Sequence, residues 1–382
     1  MSALACQRNL FDIPDGVTFL NSAYLSPLPR PVLEAGLAGV ARKNRPWEIR
    51  APDFFSDTAR LRGLFARLIG GRPEEVALVP STSYGLAIAA KNLPLAAGQR
   101  VLTVAEQYPS NVYPWVEAAG EAEASVVSVE RPDDDDGGDW TAALVEAIDE
   151  RVAVVAIPGA HWSDGWRLDL ERIGPACRAA GAALVVDLTQ SLGCEPFALD
   201  AVRPDFLIAA GYKSLLGPYS LSYLWVDPRH HDGRPIEFNW INRERSEEFA
   251  RLVDYRSTYR PGAVRYDVGE NSNFALVPMA IAALELIEEW GVESITAALS
   301  ALTERLIEGA GKLGMTAPPE EARSPHIVGL RLPGEPPAGL VARLEEEQIY
   351  VSLRGSSLRV SPHVYNDDAD IDRLLAALAE AL

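Results

Sequence analysis

A series of seven short apolar runs between residues 76 and 226 constrains the fold of this chain more than any other feature. Most of the runs lack the alternation of polar and apolar residues of a half-exposed strand, which favours strands covered on both faces. They span residues 76–79, 101–104, 125–129, 152–157, 183–187, 206–209 and 222–226. We therefore predict a seven-stranded, mostly parallel sheet.

Helical patterns fill several gaps between these runs. Residues 140–150 (WTAALVEAIDE) and 169–181 (DLERIGPACRAAG) carry such patterns, and Gly181 is suited to end the second helix. Strands alternating with helices indicate an α/β domain, whose sites lie at the carboxyl ends of the strands. Polar residues just past successive strand ends are therefore the first candidates for a functional site.

After about residue 265 the pattern changes to long helices and short strands. Helices are predicted over 274–291, 292–314 and 368–382, and strands over 327–332, 349–353 and 357–361. We predict a large α/β domain over residues 25–262 and a smaller α+β domain made of residues 1–24 and 263–382. The acidic run at 133–139 (DDDDGGD) is predicted to form a solvated loop between a strand and a helix.

Composition narrows the class of protein and its partners. Of the 382 residues, 48% are hydrophobic and 23% are charged, which is typical of a soluble globular protein. A formal net charge of −19 repels phosphate backbones and anionic lipid, so neither nucleic acid nor membrane is expected as a partner. No signal-peptide pattern and no apolar run of transmembrane length is present in this sequence.

The cysteines argue for a reducing compartment. Cys6, Cys177 and Cys194 are scattered, odd in number and outside any Cys/His cluster. This spacing disfavours both a disulfide framework and a structural metal site. We expect a cytoplasmic protein without a bound metal.

Two short segments carry the strongest chemical signal. VVDLTQS (185–191) ends a predicted strand at Asp187, and AAGYKSLLGP (209–218) places Lys213 just past the next one. Taken alone, Asp187 is either an aspartate in a turn or a buried carboxylate that pairs with a cation. Lys213 is either a surface lysine or a desolvated nucleophile. No G-x-G-x-x-G follows a strand and no P-loop glycine precedes GYKS, which argues against a nucleotide site.

These segments resemble a pair of signatures of the class V aminotransferase family. Its members are fold type I pyridoxal-phosphate enzymes that include cysteine desulfurases, kynureninase and isopenicillin N epimerase, and the resemblance extends along nearly the whole chain. It implies pyridoxal 5'-phosphate as cofactor, with Asp187 at the pyridine nitrogen, Gln190 at the phenolic oxygen and Lys213 in the Schiff base. A buried carboxylate keeps the ring nitrogen protonated, so that the ring can withdraw electrons from the substrate.

The segment LVPSTSYGL (78–86) resembles the strand-to-helix turn that binds the cofactor phosphate in this family. The resemblance implies that the hydroxyls of Thr82 and Ser83 and the amides of Tyr84 and Gly85 hold the phosphate, at a helix N-terminus. A simple helix cap is the alternative reading of the same residues.

The residues around the lysine depart from the desulfurase pattern. Many desulfurases carry histidine directly before the lysine and serine three residues before it, whereas this chain has Tyr212 and Ala210. The resemblance to kynureninase-like members implies that the hydroxyl of Tyr212 contributes to cofactor binding. In EQYPSNVYPW (106–115), the resemblance places Tyr108 as the aromatic side chain that stacks on the pyridine ring.

Substrate-binding candidates come from three further segments that resemble the family. In SSLRVSPHVYN (356–366), Arg359 matches the arginine that receives the substrate carboxylate through two parallel hydrogen bonds. In FLNSAYLSPLP (19–29), Asn21 and Tyr24 are pocket candidates. In PGAHWSDG (158–165), His161 is a third, and Trp162 and Asp164 adjoin it.

The resemblance also implies a homodimer with shared active sites. The segment VRYDVGENSNFALVPM (264–279) is similar to the one that reaches the neighbouring subunit's phosphate in this family. Residues 270–273 are the candidates for that contact.

The missing cysteine limits the reaction. The segment VSLRGSS (351–357) corresponds to the loop that holds the attacking cysteine of desulfurases, and it contains none. A serine cannot supply a thiolate, which disfavours persulfide formation.

We expect a pyridoxal-phosphate enzyme acting on an amino acid or amino-acid-like substrate through an external aldimine and an α-carbanion, by aminotransfer or elimination. Lys213, Asp187 and Tyr108 are its predicted catalytic residues. The alternatives are an epimerase of the isopenicillin N epimerase type, or a desulfurase-like C–S lyase without the loop cysteine. A nucleotide-dependent oxidoreductase is disfavoured by the missing glycine motif. A non-catalytic relative is disfavoured by the presence of Lys213, Asp187 and Arg359.

Overall fold

A computed structural model describes residues 3–132 and 138–382 of the chain. The helices are α1 Arg30–Arg42, α2 Ser56–Ile69, α3 Thr82–Asn92, α4 Tyr113–Glu121, α5 Trp140–Ala147, α6 Leu170–Ala180, α7 Leu199–Val202, α8 Leu276–Trp290, α9 Val292–Lys312, α10 Leu340–Glu346 and α11 Asp368–Ala381. The strands are β1 Thr18–Phe19, β2 Val76–Val79, β3 Arg100–Val104, β4 Ser125–Val129, β5 Val152–Pro158, β6 Ala183–Asp187, β7 Phe206–Ala210, β8 Ser222–Val226, β9 Val328–Arg331, β10 Ile349–Tyr350, β11 Ser352–Arg354 and β12 Ser357–Val360. Short 3-10 helices span Arg8–Leu10, Pro46–Glu48, Ala51–Phe54, Pro73–Glu75, Pro109–Asn111, Pro228–His230, Phe249–Arg251, Gly262–Tyr266 and Glu320–Ala322.

The seven predicted strands of the central sheet all form. They pair in the order β2-β8-β7-β6-β5-β3-β4. Neighbours from β7 through β4 run parallel, and β8 alone runs antiparallel to both of its neighbours. The prediction of a mostly parallel seven-stranded α/β sheet is confirmed, with strand bounds that agree to within one residue.

Apolar strands become buried because helices cover both faces of this sheet. One core contains side chains of α2, α5, α6 and α8, such as Phe65 and Ile173. The other contains side chains of α3 and α4, such as Ile88 and Trp115. At about 25 cal/mol per Å² of apolar surface, this two-sided burial is the main stabilising contribution to the fold.

The C-terminal third forms a second layer of structure beside the large sheet. β11, β12 and β9 make an antiparallel three-stranded sheet, and β1 pairs in parallel with β10. Their buried side chains share a core with α9, α10 and α11. The N-terminal segment therefore belongs to this layer through strand pairing.

Two differences from the sequence reading have physical reasons. The run 349–353 was predicted as one strand, but the chain changes pairing partner after Tyr350, so it forms β10 and β11. Helix α8 contributes Val277 to the core of the large sheet and Ile287 to the core of the second layer. The domain division at residues 24/25 and 262/263 stays a prediction.

The topology gathers the functional segments at one edge of the sheet. β6 ends at Asp187 and β7 ends three residues before Lys213. β2 and β7 both run antiparallel to β8, so their carboxyl ends point the same way. The turn that follows β2 therefore faces the turns that follow β5, β6 and β7.

The described residues contain neither a candidate membrane-spanning helix nor a candidate metal site. No helix in residues 3–132 and 138–382 has the length and apolar character needed to cross a membrane. No group of three or more His, Cys, Asp or Glu side chains in those ranges is arranged to hold a metal ion. The acidic run 133–139 lies, apart from Gly138 and Asp139, outside the described residues.

Candidate active site

A cleft opens at the carboxyl ends of the central strands. Its lining residues are Pro80, Ser81, Thr82, Ser83, Gln107, Tyr108, Ser110, Pro158, Ala160, Trp162, Asp187, Thr189, Gln190, Tyr212, Lys213, Tyr219, Ser220 and Ser222. All of the predicted cofactor-binding residues except Tyr84 and Gly85 are among them. Segments that are far apart in the sequence thus meet in one cavity.

Lys213 is a buried lysine at the centre of this cleft. Only 6% of it is exposed, and its Nζ lies 5.6 Å from the ring centroid of Tyr108 and 5.7 Å from that of Tyr212. Burial lowers the pKa of Lys213 to about 8, while Asp187 opposes the shift and Arg359 adds to it. The fraction of Lys213 that is the neutral, nucleophilic amine near neutral pH is therefore much larger than for an exposed lysine, although the protonated form still predominates.

Asp187 is a buried carboxylate at the end of β6. Its Oδ1 accepts a 2.9 Å hydrogen bond from the backbone N–H of Thr189. Burial raises the pKa of Asp187, and hydrogen bonds from Thr189 and the nearby charge of Lys213 oppose that rise. A buried carboxylate is stabilised by a cation or a proton donor in contact with it.

Thr189 links three of the turns around the cleft. Its Oγ1 lies 3.1 Å from Oγ1 of Thr82 and accepts a 3.1 Å hydrogen bond from the N–H of Ala210. Thr189 was not among the predicted site residues, although in the sequence it lies between Asp187 and Gln190, which were. The bond to Ala210 fixes the end of β7, and with it the start of the lysine turn.

The turn before α3 is ordered by its own hydroxyls. Ser81 caps the helix by accepting a 3.2 Å bond from the N–H of Tyr84, and its Oγ lies 3.0 Å from Oγ of Ser83. The N–H of Gly85 donates to the carbonyl of Ser81. The amides of Tyr84 and Gly85, predicted to bind phosphate, are thus already paired, whereas Thr82 and Ser83 face the cleft. The ring of Tyr84 does not line the cleft, and burial together with the nearby Glu237 raises the pKa of its phenol.

Two amide side chains flank the cavity. Gln190 donates a 3.3 Å bond from Nε2 to the carbonyl of Ala23, which anchors the N-terminal segment. Gln107 accepts a 2.6 Å bond from the N–H of Tyr108, while its buried Nε2 has no protein partner. Gln107 was not selected from the sequence, and its free amide supplies a donor at the cleft wall.

Aromatic rings form the walls on both sides of Lys213. Tyr108 and Trp162 meet edge to face, with ring centroids 5.6 Å apart. Tyr212 packs against Tyr219 at 4.6 Å, and burial raises the pKa of Tyr212 to about 12, so that its phenol stays protonated. Tyr108 remains 42% exposed, as an open face for a stacking partner would be.

Arg359 lies beside the cleft, on β12. It is 1% exposed, donates 2.7 Å from Nη1 to the carbonyl of Trp162 and 3.4 Å from Nη2 to Oδ1 of Asn21, and its Nε has no partner. Burial and the neighbouring Arg354 lower the pKa of Arg359 to about 10. Within the described residues, no carboxylate forms an ion pair with either arginine.

Arg354 is a second cation that the sequence analysis did not select. It lies at the end of β11, its guanidinium carbon is 5.8 Å from the ring centroid of Trp162, and its buried Nε has no protein partner. Its charge also helps to lower the pKa of Lys213. The hairpin register that opposes Arg354 to Ser357 brings it near Arg359, and no spacing rule in the sequence reveals that register.

The structure does not bring His161 into the cleft lining. Its ring is buried against Trp140, with centroids 5.4 Å apart, and its Nδ1 lies 2.7 Å from Oγ of Ser163. Asp164 is paired with Arg131 at 2.6 Å. Burial alone would raise the pKa of Asp164, but His161 and Arg131 hold it well below its usual range. These side chains brace the loop that presents Trp162.

The remaining candidates lie at the rim or farther away. Tyr24 is exposed and close enough to Tyr212 to affect its pKa. Residues 270–273 are not part of the cleft lining within one chain. There Asn271 donates a 2.6 Å bond to Asp267, and Asn273 caps α8.

The sequence of this chain matches that of a known protein family over most of its length. The sequence profile described as Aminotransferase class-V matches residues 26–374. The chain belongs to the class V aminotransferase family. This membership confirms the family and the general prediction of a pyridoxal-phosphate-dependent enzyme that transforms amino acids.

Relatives within the class V aminotransferase family carry several names. The chain is 26% identical to an uncharacterized aminotransferase, YcbU, of Bacillus subtilis, over 97% of this chain and 96% of that protein. It is 29% identical to a kynureninase of Stenotrophomonas maltophilia, over 70% of this chain and 66% of that protein. It is 24% identical to a probable cysteine desulfurase of Pyrococcus abyssi, over 97% and 96%.

Solved structures show the same fold. The apo cysteine desulfurase of Thermococcus onnurineus superposes with a TM-score of 0.86 at 21% identity, covering 100% of this chain and 99% of that one. The cystine C–S lyase C-DES, in complex with cysteine persulfide, superposes with a TM-score of 0.85 at 21% identity, covering 96% and 98%. The predicted fold type I architecture is thereby confirmed.

The polar groups of the cleft fit the family cofactor. A phosphate needs donors at a helix N-terminus, which the turn at Thr82 and Ser83 offers. A protonated pyridine nitrogen needs a buried carboxylate, and Asp187 is one. An aldehyde needs an amine that is partly neutral, as Lys213 is. Chemically distinct parts of the cofactor therefore each find a complementary group.

Proposed function

We propose that the chain uses pyridoxal 5'-phosphate, held covalently by Lys213, to transform an amino acid by aminotransfer or elimination. The observation that carries this proposal is a pair of buried cations, Lys213 in the cleft and Arg359 beside it. Neither has a carboxylate ion-pair partner among the described residues. Burying an unpaired charge is costly, so such a charge indicates a site built for an anion or for a neutral amine. A substrate carboxylate on Arg359 and a substrate amine at Lys213 match that geometry.

The residues around the cofactor would each hold one part of it. When bound, pyridoxal phosphate supplies a ring that accepts the electron pair of a broken bond at the substrate α-carbon. Asp187 would hold a proton on the ring nitrogen, Tyr108 would stack on one ring face, and Gln190 would bond the phenolic oxygen. Thr82 and Ser83 would bond the phosphate, with Tyr212 adding its hydroxyl.

The substrate would be fixed by Arg359 and Asn21. A carboxylate accepting two bonds from the guanidinium fork holds the α-carbon at a defined distance from Lys213. The amine of Lys213, with a pKa of about 8, is matched to removing and returning a proton near neutral pH. The cleft lining contains no histidine, aspartate or glutamate besides Asp187, so Lys213 is the base that the described site offers.

The groups at the substrate end support the proposed reaction class. Residues 351–357 form a tight hairpin without a thiol, and Cys194 is buried with its pKa raised by burial. A thiolate that attacks substrate sulfur is therefore not supplied there. Besides the cofactor, aminotransfer and elimination need a group that moves a proton, which Lys213 would supply, and a group that binds the substrate carboxylate, which Arg359 would supply.

We also propose a homodimer in a reducing compartment. Apolar side chains of α1, Leu33, Leu37 and Val40, are exposed together on one chain, and such a face favours a protein interface. Residues 270–273 are the proposed contact to the partner's phosphate. The free cysteines, of which Cys177 and Cys194 are buried, support a cytoplasmic location.

A trapping experiment tests the cofactor and the lysine together. Purified protein is incubated with pyridoxal phosphate, reduced with borohydride, digested and analysed by mass spectrometry. We expect the cofactor mass on the peptide that contains Lys213, and none on that peptide in Lys213→Ala. Lys312→Ala, which changes an exposed lysine on α9, serves as the matched control and should keep the label. Wild-type protein without the adduct on Lys213 would refute the proposal.

A second assay separates the reaction types. The protein with bound cofactor is incubated with single amino acids, and the keto acid, ammonia and sulfide released are measured. Aminotransfer releases no ammonia and gives at most one keto acid per bound cofactor unless a second keto acid is supplied to take up the amino group, whereas elimination releases ammonia in every turnover. Change of configuration at the α-carbon without any of these products would favour an epimerase instead.

A further inference from the structure

Two buried histidines of the second layer reach across to the main chain of the cofactor turns. Nε2 of His326 donates to the carbonyl of Gln190, and Nε2 of His363 donates 3.1 Å to the carbonyl of Ser214. Gln190 is itself a proposed cofactor residue, and Ser214 directly follows Lys213. Each histidine therefore holds the backbone at one of the two turns that carry the chemistry.

The ring protons are placed by the other hydrogen bonds of each histidine. The N–H of Val364 donates 2.9 Å to Nδ1 of His363, so Nδ1 is an acceptor and the proton is on Nε2. Nδ1 of His326 lies 3.0 Å from Oγ of Ser324, which can donate to it. Burial lowers the pKa of His326 to about 3 and that of His363 to about 4. Both rings are thus neutral, with one donor and one acceptor each.

Neither histidine can touch a bound cofactor or substrate. His326 is 2% exposed, His363 is fully buried, and neither lines the cleft. Their rings sit behind the turns, on the side of the three-stranded sheet. Any effect on chemistry must therefore pass through the carbonyls that they hold.

His363 shares a short segment with the proposed carboxylate-binding arginine. Arg359 lies on β12, and four residues later His363 reaches the lysine turn. Between them Ser361 pairs with the N-terminal segment, its N–H donating 2.8 Å to the carbonyl of Leu20. The same piece of chain thus presents the guanidinium and fixes the backbone next to Lys213.

The lysine turn is also held by main-chain bonds, one of which comes from the N-terminal segment: the N–H of Ser26 donates 3.3 Å to the carbonyl of Tyr212. The N–H of Gly217 donates 2.7 Å to the carbonyl of Gly211, and the N–H of Leu216 donates 2.9 Å to that of Lys213. The bonds of Gly217 and Leu216 shape the turn but do not attach it to the segment that follows β12. The bond from His363 does so, on the Ser214 carbonyl.

We propose that His363 and His326 are positioning residues that fix Lys213 and Gln190 relative to Arg359. The inference rests on the proposed function, because the distances from Lys213 and Gln190 to Arg359 matter only if these residues bind cofactor and substrate. The hydrogen bonds of the two histidines are present without any ligand. A purely apolar filling would pack equally well behind the turns, but it would leave the Ser214 and Gln190 carbonyls buried without donors. Such an unmade bond favours rearrangement of the turn.

The test measures the amine of Lys213 directly, in the full-length chain before any cofactor is added. The rate at which acetic anhydride modifies Lys213 is followed by mass spectrometry as a function of pH. The groups facing the amine are the carboxylate of Asp187, the guanidinium groups of Arg354 and Arg359, and the phenols of Tyr108 and Tyr212. None of these is altered in the variants.

In wild type we expect a labelling midpoint near pH 8. In His363→Leu the freed turn admits water, and the midpoint should rise by about one unit toward that of an exposed lysine. His363→Gln, whose amide nitrogen reaches about as far from Cα as Nε2, should restore the wild-type midpoint. His363→Asn is one bond too short and should behave like the leucine variant.

The corresponding test for His326 measures cofactor affinity, to which Gln190 is proposed to contribute. Titration of cofactor fluorescence should show about tenfold weaker binding in His326→Leu, which corresponds to one lost hydrogen bond, and recovery in His326→Gln. Leu374→Ala, a buried change in the same core without a bond to the cofactor turns, controls for loss of stability alone. It should move neither the midpoint nor the affinity.

The outcomes decide the proposal separately from the function. A folded His363→Leu with an unchanged midpoint overturns it. If that variant does not fold, equal midpoints in the glutamine and asparagine variants overturn it instead. Failure of the proposed function would show as an absent adduct on wild-type Lys213, which this measurement does not use.

Discussion

Arg359 donates a 2.7 Å hydrogen bond from Nη1 to the main-chain carbonyl of Trp162, whose side chain lines the cleft. This bond orients the guanidinium while Nε stays buried and free of partners. Asn21 holds the other terminal nitrogen at 3.4 Å. The arginine is therefore oriented before any substrate binds, and its unused donors favour an anion.

Replacing Arg359 should weaken substrate binding and leave the cofactor in place. In Arg359→Lys the charge remains but the planar fork is lost, so we expect KM for the amino acid to rise about 10- to 100-fold, as for one or two charge-assisted bonds. Cofactor affinity, measured by fluorescence titration, should stay within about twofold of wild type, since Arg359 is assigned to the substrate. Arg343→Gln on the exposed face of α10 is the control. A large loss of cofactor affinity in Arg359→Lys would contradict the assignment.

Lys213 should be required for proton transfer as well as for covalent attachment. In Lys213→Ala we expect kcat to fall at least about 10³-fold, within the range for a positioned acid–base group. Adding methylamine should restore a part of the rate, because a small amine can enter the space left by the side chain. Lys213→Arg should not be rescued in this way, since the guanidinium fills that space. Equal activity of wild type and Lys213→Ala under saturating cofactor would exclude the role.

If Tyr108 stacks on the cofactor, its ring and not its hydroxyl should determine cofactor affinity. Tyr108→Phe keeps the ring, so cofactor affinity should remain near that of wild type. Tyr108→Ala should weaken binding about three- to tenfold, as expected for one aromatic contact of about 0.5–1.5 kcal/mol. Fluorescence titration of the cofactor measures both. If the phenylalanine and alanine variants bind equally weakly, the hydroxyl rather than the ring is the contact.

The sequence predicted the residues whose position depends only on strand ends. Asp187 closes β6 and Lys213 follows β7, and parallel strands bring their carboxyl ends to one edge without further information. The apolar runs fixed those strands to within one residue, since burial on both faces leaves a strong local pattern. The positions of Thr82 and Ser83 followed in the same way from the end of β2, whereas their phosphate-binding role came from the family resemblance and stays a prediction.

The residues that sequence reasoning missed depend on contacts between distant segments. Arg354 reaches the site only through the register of the β11–β12 hairpin, and His363 meets Ser214 across 149 positions of the chain. His161 was selected because it follows a strand, but its side chain points to the helix side of the loop, against Trp140. Backbone position was predictable in these cases, and side-chain direction was not.

A buried ion pair holds the strand that leads into the phosphate turn. Arg62 of α2 pairs with Asp267, which also accepts a 2.7 Å bond from the N–H of Leu78 on β2. Burial raises the pKa of Asp267, and Arg62 opposes the rise. Arg62→Met leaves that carboxylate unpaired, so we expect the free energy of unfolding to fall by about 3–5 kcal/mol. Arg67→Met, one helical turn further on but exposed, should cost less than about 1 kcal/mol in the same urea titration.

Glu195 should make stability fall as the pH rises. Burial raises the pKa of Glu195 to about 7, although Arg167 lies 3.2 Å away and opposes the shift. Between its ordinary value of 4.5 and about 7 the folded chain binds more protons than the unfolded chain, so this group lowers the free energy of unfolding as the pH rises through that window. The total is on the order of 3 kcal/mol for a shift of this size. Glu195→Gln removes the titration and loses only a half-exposed ion pair worth less than about 1 kcal/mol, so it should be more stable than wild type at pH 8. Urea titrations of both proteins at pH 5 and pH 8 check this, and a wild type that gains stability relative to Glu195→Gln at the higher pH would contradict it.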